Sequence, residues 1–243
     1  MEFILRYKWA RLAYLTTILI LINVTTIYFF DIQVSRIIRV SSTVVFLLFF
    51  IHQRGFQDKL IFTILLLFFL KDIFIVDYEI SLNKTFAFLV CNVTYLLLGY
   101  INFKKVKLMT KNPMLMVFAF AMIALNAFNL YYLSDVILMG LNNSIQFALF
   151  FTQGVLLITL GLIAFAYNDR YDGNTPLLFL YFSFCLILCD LSGLASYFFE
   201  WEVAYFPERI FYLLSIALLI NFSFNRSFES RESLLFLEQQ IAS

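Results

Sequence analysis

The sequence predicts an all-α fold, a polytopic bundle of membrane-crossing helices, on three observations. Of the 243 residues, 63% are hydrophobic and 14% charged, with a mean hydropathy of +0.89; in soluble domains only about half of the residues are apolar. The apolar residues form continuous runs close to the ~17–25 residues needed to cross hydrocarbon; a β-barrel would show alternating segments of ~10. The polar links between runs are short, which makes sequence neighbours antiparallel and favours one compact bundle.

Eight runs qualify as spans: 12–30, 37–51, 60–76, 85–103, 113–132, 145–167, 176–199 and 207–224. The second is short, and the third carries an adjacent ionisable pair, Lys71 and Asp72. Residues 1–224 read as a single domain and 225–243 as a short cytoplasmic tail. In that tail Leu234, Leu235 and Leu237 alternate with Glu232 and Glu238, which suits a terminal helix capping the bundle. Basic residues precede the first run, as in a signal peptide, but the run is long and no small-residue cleavage site follows, so the first helix is expected to be retained.

Charge excludes some functions and orients the chain. A net charge of +1 gives no basic surface for nucleic acid and no pull on an acidic partner. An even number of spans puts both termini on the side that holds Arg6, Lys8, Arg11, Arg54, Lys59, Lys104, Lys105, Lys107, Lys111, Arg170, Arg226 and Arg231. The other side holds Arg36, Arg39, Lys84 and Arg209, with Asp31, Asp77, Glu79, Asp135, Glu202 and Glu208. The positive-inside rule makes both termini cytoplasmic, in a plasma membrane or a bacterial inner membrane. Cys91, Cys185 and Cys189 lie inside apolar runs and read as small packing residues. His52 is the sole histidine and stands in a polar link, so neither a metal nor another cofactor is expected.

The polar residues within the spans carry the functional information. An Asp at the centre of a membrane helix costs about 2.5–3.5 kcal/mol, so Asp72 and Asp190 point to an interior polar cavity. The simpler structural account has Lys71 neutralise Asp72 near an interface. On the derived topology both carboxylates lie in the outer half of the bilayer. The beginnings of neighbouring spans reach that depth and bring Arg39, Ser41, Ser42, Asn92, Tyr95, Tyr212 and Ser215. Asp72 and Asp190 each occupy the third helix of a four-helix half, which suggests a parallel four-plus-four repeat about an axis along the membrane normal.

The stretches RVSSTVVFLLFF, LLLFFLKDIFIV, TFAFLVCNVTYLLLGY and LILCDLSGLASYFF, followed by RIFYLLSIALLI, set out an order of features. A basic residue opens the second span; one apolar run ends in Asp; a polar residue and a Tyr follow in the next span; a late span carries the second Asp. This order resembles the YhhN/TMEM86 family of eight-helix membrane proteins, which includes lysoplasmalogenases, over roughly residues 39–221. The chain departs from the family pattern at Lys71 (usually Gly), Cys189 (Ser), Asn92 (often His) and Ser215 (Gln). The resemblance implies hydrolysis of the vinyl-ether bond of a lysophospholipid, with membrane lipids as partners and no cofactor. One carboxyl group protonates the alkenyl carbon and a second stabilises the oxocarbenium ion that water captures. Lys71 beside Asp72 favours Asp190 as acid and Asp72 as stabiliser, with Arg39 or Lys71 on the phosphate and Asn92, Tyr95 and Tyr212 completing the substrate contacts.

Paired intramembrane carboxylates equally suit a proton-coupled transporter. However, the chain's three prolines, Pro113, Pro176 and Pro207, stand at span starts, so broken helices are not indicated. A non-catalytic bundle acting as an assembly or sensory partner is the third class. The oligomeric state is not written in the sequence.

Overall fold

A computed structural model describes residues 2–54, 58–103 and 143–242, with isolated positions at 117, 120, 124 and 141. The described residues form seven α-helices and one 3₁₀ turn. The helices are α1 (Glu2–Phe29), α2 (Ile32–Arg54), α3 (Lys59–Val76), α4 (Ser81–Phe103), α5 (Ser144–Arg170), α6 (Asn174–Phe198) and α7 (Tyr205–Ala242), with the 3₁₀ turn at Glu202–Ala204 before α7. Six stretches within them, all but α3, are long and apolar enough to cross a membrane. The expected span 113–132 lies outside the described residues. The tail from 225, read from the sequence as a short cytoplasmic segment with a terminal helix, continues α7 without a break to Ala242, and His52, read as part of a polar link, lies in the last turn of α2.

Helix ends follow from local chemistry. The Asp58 side chain caps α3 by accepting from the Ile61 N–H, and Asn143 caps α5 by accepting from the Gln146 N–H at 2.9 Å; each satisfies a donor that the helix leaves open. Before α6 the chain turns at Gly173, whose φ of 124° is accessible to glycine at little cost. Asp58 has a second task, accepting from Ser223 Oγ of α7 at 2.9 Å.

Each helix packs on its sequence neighbour among the described elements, and α7 closes the ring by packing on α1, α6, α2 and α3. The half of the bundle in which α3 and α6 begin has an aromatic core, with Phe46, Phe50, Phe179, Phe182 and Phe222 fully buried beside a few small polar residues such as Ser183 and Ser223. The half in which α3 and α6 end is polar inside. Polarity is inverted relative to a soluble protein. On α3, Leu66, Leu70 and Ile73 face outward at 43%, 38% and 41% exposure, whereas Lys71 and Asp72 are 5% and 1% exposed. In lipid an outward apolar side chain costs nothing and an outward charge costs several kcal/mol, so the charges turn inward. The chain is therefore a multi-pass helical membrane protein.

Candidate functional site

Asp72 sits in the polar half, with both oxygens occupied. Oδ1 accepts from Arg39 Nε at 2.9 Å; Oδ2 accepts from Thr43 Oγ1 at 2.6 Å and from the Tyr212 hydroxyl at 2.5 Å. Residues 39 and 43 are one helical turn apart, so α2 presents both donors on one face. The cation paired with Asp72 is Arg39, not the adjacent Lys71; successive helical residues diverge by about 100°, which turns the lysine to another wall. Arg39 is also spoken for. Its Nη1 bonds Glu208 of α7, and its guanidinium carbon lies 3.9 Å from the centre of the Tyr212 ring. Arg39 therefore serves as a clamp joining α2, α3 and α7.

Glu208, expected on the outer surface, is only 2% exposed. One oxygen serves Arg39, and the other stands 3.6 Å from Arg209 Nε. Arg209 and Arg36, counted from the sequence as surface charges, are buried as well. Arg36 reaches out to Glu79 at 2.8 Å. Burial opposes ionisation of Glu79, but its own backbone N–H and the Arg36 guanidinium outweigh this and hold the carboxyl below its ordinary range.

Asp190 is held differently. Its Oδ2 accepts from the Tyr95 hydroxyl of α4 at 2.6 Å and from the Gln153 amide of α5 at 2.9 Å, and none of the bonds seen at this residue falls on Oδ1. Asp190 lines a cavity of ≈ 100 Å³ together with Lys71, Arg39, Gln153, Cys91, Cys189 and Glu208. Toward the ends of α3 and α6 the lining becomes aromatic, with Tyr78, Phe88, Phe150 and Phe198. Asp72 does not line this space, so the two aspartates share a depth but not a cavity.

The remaining expected contacts divide. Tyr95 and Tyr212 each bond an aspartate and are fully buried. Asn92 instead donates to the Leu149 carbonyl at 2.9 Å, tying α4 to α5. Ser215 bonds its own helix at Tyr212 O, Ser42 accepts from Asn23 of α1, and Ser41 is exposed. The three cysteines are free thiols. Among the described residues no group of His, Cys, Asp and Glu could hold a metal. Sequence reading missed Gln153, Glu208 and Thr43. Gln153 was visible as the amide within FFTQGVLL, and Thr43 as the polar residue one turn after Arg39. Glu208, in a first turn behind Pro207, resembled an ordinary helix-start acid.

Fold and site together define a class: an integral-membrane helical bundle enclosing a charged cavity within one half of its height. Comparison with protein-family models, with curated proteins and with solved structures finds no match for this chain.

Proposed function

We propose that the chain is a membrane lipid hydrolase of the lysoplasmalogenase kind, a divergent relative of the YhhN/TMEM86 family. It would convert a lysophospholipid vinyl ether into a fatty aldehyde and a glycerophospho-alcohol. The observation that carries this reading is Asp190, a carboxyl group in a polar cavity inside an apolar bundle, with one oxygen fixed by Tyr95 and Gln153. Fixed on Oδ2, the group presents its proton to a substrate carbon from a defined direction. Proton transfer from Asp190 to the alkenyl carbon generates the oxocarbenium ion, water adds to it and returns a proton to Asp190, and the hemiacetal collapses to aldehyde and alcohol. Glu208 lines the same cavity and is the carboxylate placed to stabilise the cation; Asp72 acts through Arg39 as a positioning residue. The aromatic lining beyond suits the alkenyl chain.

The finer topology belongs to the same proposal: eight spans, both termini cytoplasmic, and two parallel four-helix halves. Gln146, at the start of α5, bonds Ser81 and Thr85 at the start of α4. The two helices therefore run in the same direction, which supports the eight-span reading. The bonding also repeats across the halves. Each aspartate takes a nitrogen donor from the second helix of its own half (Arg39, Gln153) and a tyrosine hydroxyl from the last helix of the other (Tyr212, Tyr95). Burial of Arg36, Arg39 and Arg209 leaves Lys84 as the cation at the face opposite the termini, which sharpens the positive-inside bias.

The test is turnover. Purified protein given a vinyl-ether lysophospholipid is expected to release aldehyde, and Asp190→Asn is expected to lower the rate by about 10²–10⁴-fold, the usual contribution of a positioned acid. An unchanged rate in folded Asp190→Asn, or no aldehyde from the wild type, overturns the proposal. Proton or solute flux through liposomes in the latter case would favour transport.

A further inference from the structure

Beside the cavity, toward the ends of α3 and α6, five buried polar atoms have no hydrogen-bond partner among the described residues: Arg36 Nε, Tyr197 Oη, Glu208 Oε2, and Nε and Nη1 of Arg209. They belong to one cluster. The Arg36 guanidinium carbon lies 5.6 Å from the centre of the Tyr197 ring, and Tyr197 and Glu208 line the cavity together. Glu208 Oε2 stands 3.6 Å from Arg209 Nε, and Arg209 Nη2 donates to Ser35, the residue before Arg36, at 3.4 Å. Arg36, Glu208 and Arg209 are 4%, 2% and 1% exposed. Buried polar atoms that lack a protein partner are met by ordered water or by an ion. Here nitrogen donors stand beside a carboxylate acceptor, with Nε and Oε2 too far apart to bond directly. Water donates and accepts and so bridges such a gap, whereas an anion would answer the donors and repel Glu208.

The backbone leaves room for that water. Cys189, Gly193 and Tyr197 follow one another at four-residue spacing along α6 and all line the cavity, a stripe of about 12 Å at 1.5 Å per residue. In its middle Gly193 has no side chain, and a Cβ there would lie 3.7 Å from Glu208 Cγ, so the glycine opens a groove beside the carboxylate. The cavity of ≈ 100 Å³ holds a few waters at about 30 Å³ each. At the far end of the cluster Arg36 bonds Glu79, whose side chain is 73% exposed. We propose that water enters the cavity along this groove, from the face at which α3 and α6 end, past Tyr197 and Gly193 to Asp190, with the unpartnered atoms of Arg36, Tyr197, Glu208 and Arg209 as its stations. The passage supplies water to Asp190 and Glu208 and lets their protons exchange with solvent on one side of the membrane. As the source of the water that captures the oxocarbenium ion it rests on the hydrolase reading; as a wetted passage it is tested without any substrate.

Radiolytic footprinting of the purified protein is the test. A short X-ray pulse turns bound water into hydroxyl radicals, which oxidise the thiols and rings beside it, and mass spectrometry reads each site. Cys185, one turn before Cys189 on α6, is the internal reference: it is only half-buried and lies outside the cavity lining, whereas Cys189 is 3% exposed. In the wild type Cys189 is expected to be oxidised faster than Cys185 despite its deeper burial, and Tyr197 to be oxidised while Phe182 and Phe222 are spared. Gly193→Ala adds a methyl group that meets Glu208 at ordinary contact distance and suits a helix, so the variant is expected to keep its Tm. That methyl displaces about one of the few waters and is expected to lower Cys189 oxidation about threefold. Gly193→Val is expected to lower it further, while Tyr197, on the solvent side of the plug, keeps its rate in both variants. Oxidation of Cys189 no faster than that of Cys185 overturns the proposal, as do equal Cys189 rates in the wild type and both plugged variants. Oxidation of Phe182 and Phe222 as fast as Tyr197 shows water entering from both faces and overturns it as well. Aldehyde release plays no part in the measurement, so a failed hydrolase assay leaves the passage intact.

Discussion

Asp72 on α3 and Asp190 on α6 each take a nitrogen donor and a tyrosine hydroxyl, yet the two surroundings differ. Around Asp72 both oxygens are engaged: a guanidinium, a threonine and a tyrosine close on it, and Arg39 passes the constraint on to Glu208. Asp190 has a neutral amide, that of Gln153, where Asp72 has a guanidinium, and it faces a cavity instead of a clamp. One bundle thus holds two carboxylates, one closed in by its partners and one facing a cavity, and the proposed chemistry falls to the second. A charged donor with two carboxylates makes a lock; a neutral donor with one leaves capacity for a ligand.

The comparison is broken most directly by deleting each carboxylate in turn. Asp72→Ala leaves Arg39 buried with half its compensation gone and is expected to cost about 3–5 kcal/mol. Asp190→Ala removes two hydrogen bonds beside a cavity that can admit water and is expected to cost about 1–3 kcal/mol. Reversible unfolding in mixed micelles measures both, and equal losses would erase the distinction between lock and site. Glu208→Gln comes next, at about 1.5–3 kcal/mol for a lost charge-assisted bond. By the proposed chemistry it also slows aldehyde release, whereas a purely structural Glu208 would leave the rate per folded molecule unchanged. The tyrosine pair sharpens the contrast at smaller scale. Tyr212→Phe and Tyr95→Phe each remove one hydroxyl, worth about 1 kcal/mol; by the proposed chemistry only Tyr95→Phe slows aldehyde release per folded molecule, because Asp190 and not Asp72 faces the cavity.

The smallest effect lies at the surface. The carboxyl of Glu79 is held below its ordinary range in the folded chain, so its contribution to stability is present above the unfolded value and is lost as pH falls through the folded one. Its side chain is 73% exposed, so water and salt screen the pair. A Tm-versus-pH curve should therefore differ little between wild type and Glu79→Gln, with the gap closing under acid conditions; a large gap at low pH would contradict this.

Much of the bundle was legible because apolar run length depends on composition alone, and the shared depth of Asp72, Asp190, Arg39, Tyr95 and Tyr212 follows from counting along antiparallel runs. Which side chains meet was not legible. Lys71 is next to Asp72 in sequence but diverges from it around the helix, while Arg39 arrives from another helix altogether. Asn92 and Tyr95 sit one turn apart, yet one ties two backbones and the other bonds the carboxylate, a choice made by the rotation of α4 against α5. Glu208 stayed hidden because a carboxylate in a first helical turn after proline is an ordinary surface feature, and only a buried Arg39 gives it another role.

Asp58 and Ser223 have a mechanical consequence. That pair joins the start of α3 to α7, and Asp72 with Tyr212 joins the same two helices near the other end of α3. The 14 residue steps from Asp58 to Asp72 span about 21 Å of helix, at 1.5 Å per residue. Two crossbars that far apart stop α3 and α7 from sliding or splaying, as rungs stiffen a ladder. The bundle therefore cannot open between α3 and α7 without breaking one of these two bonds.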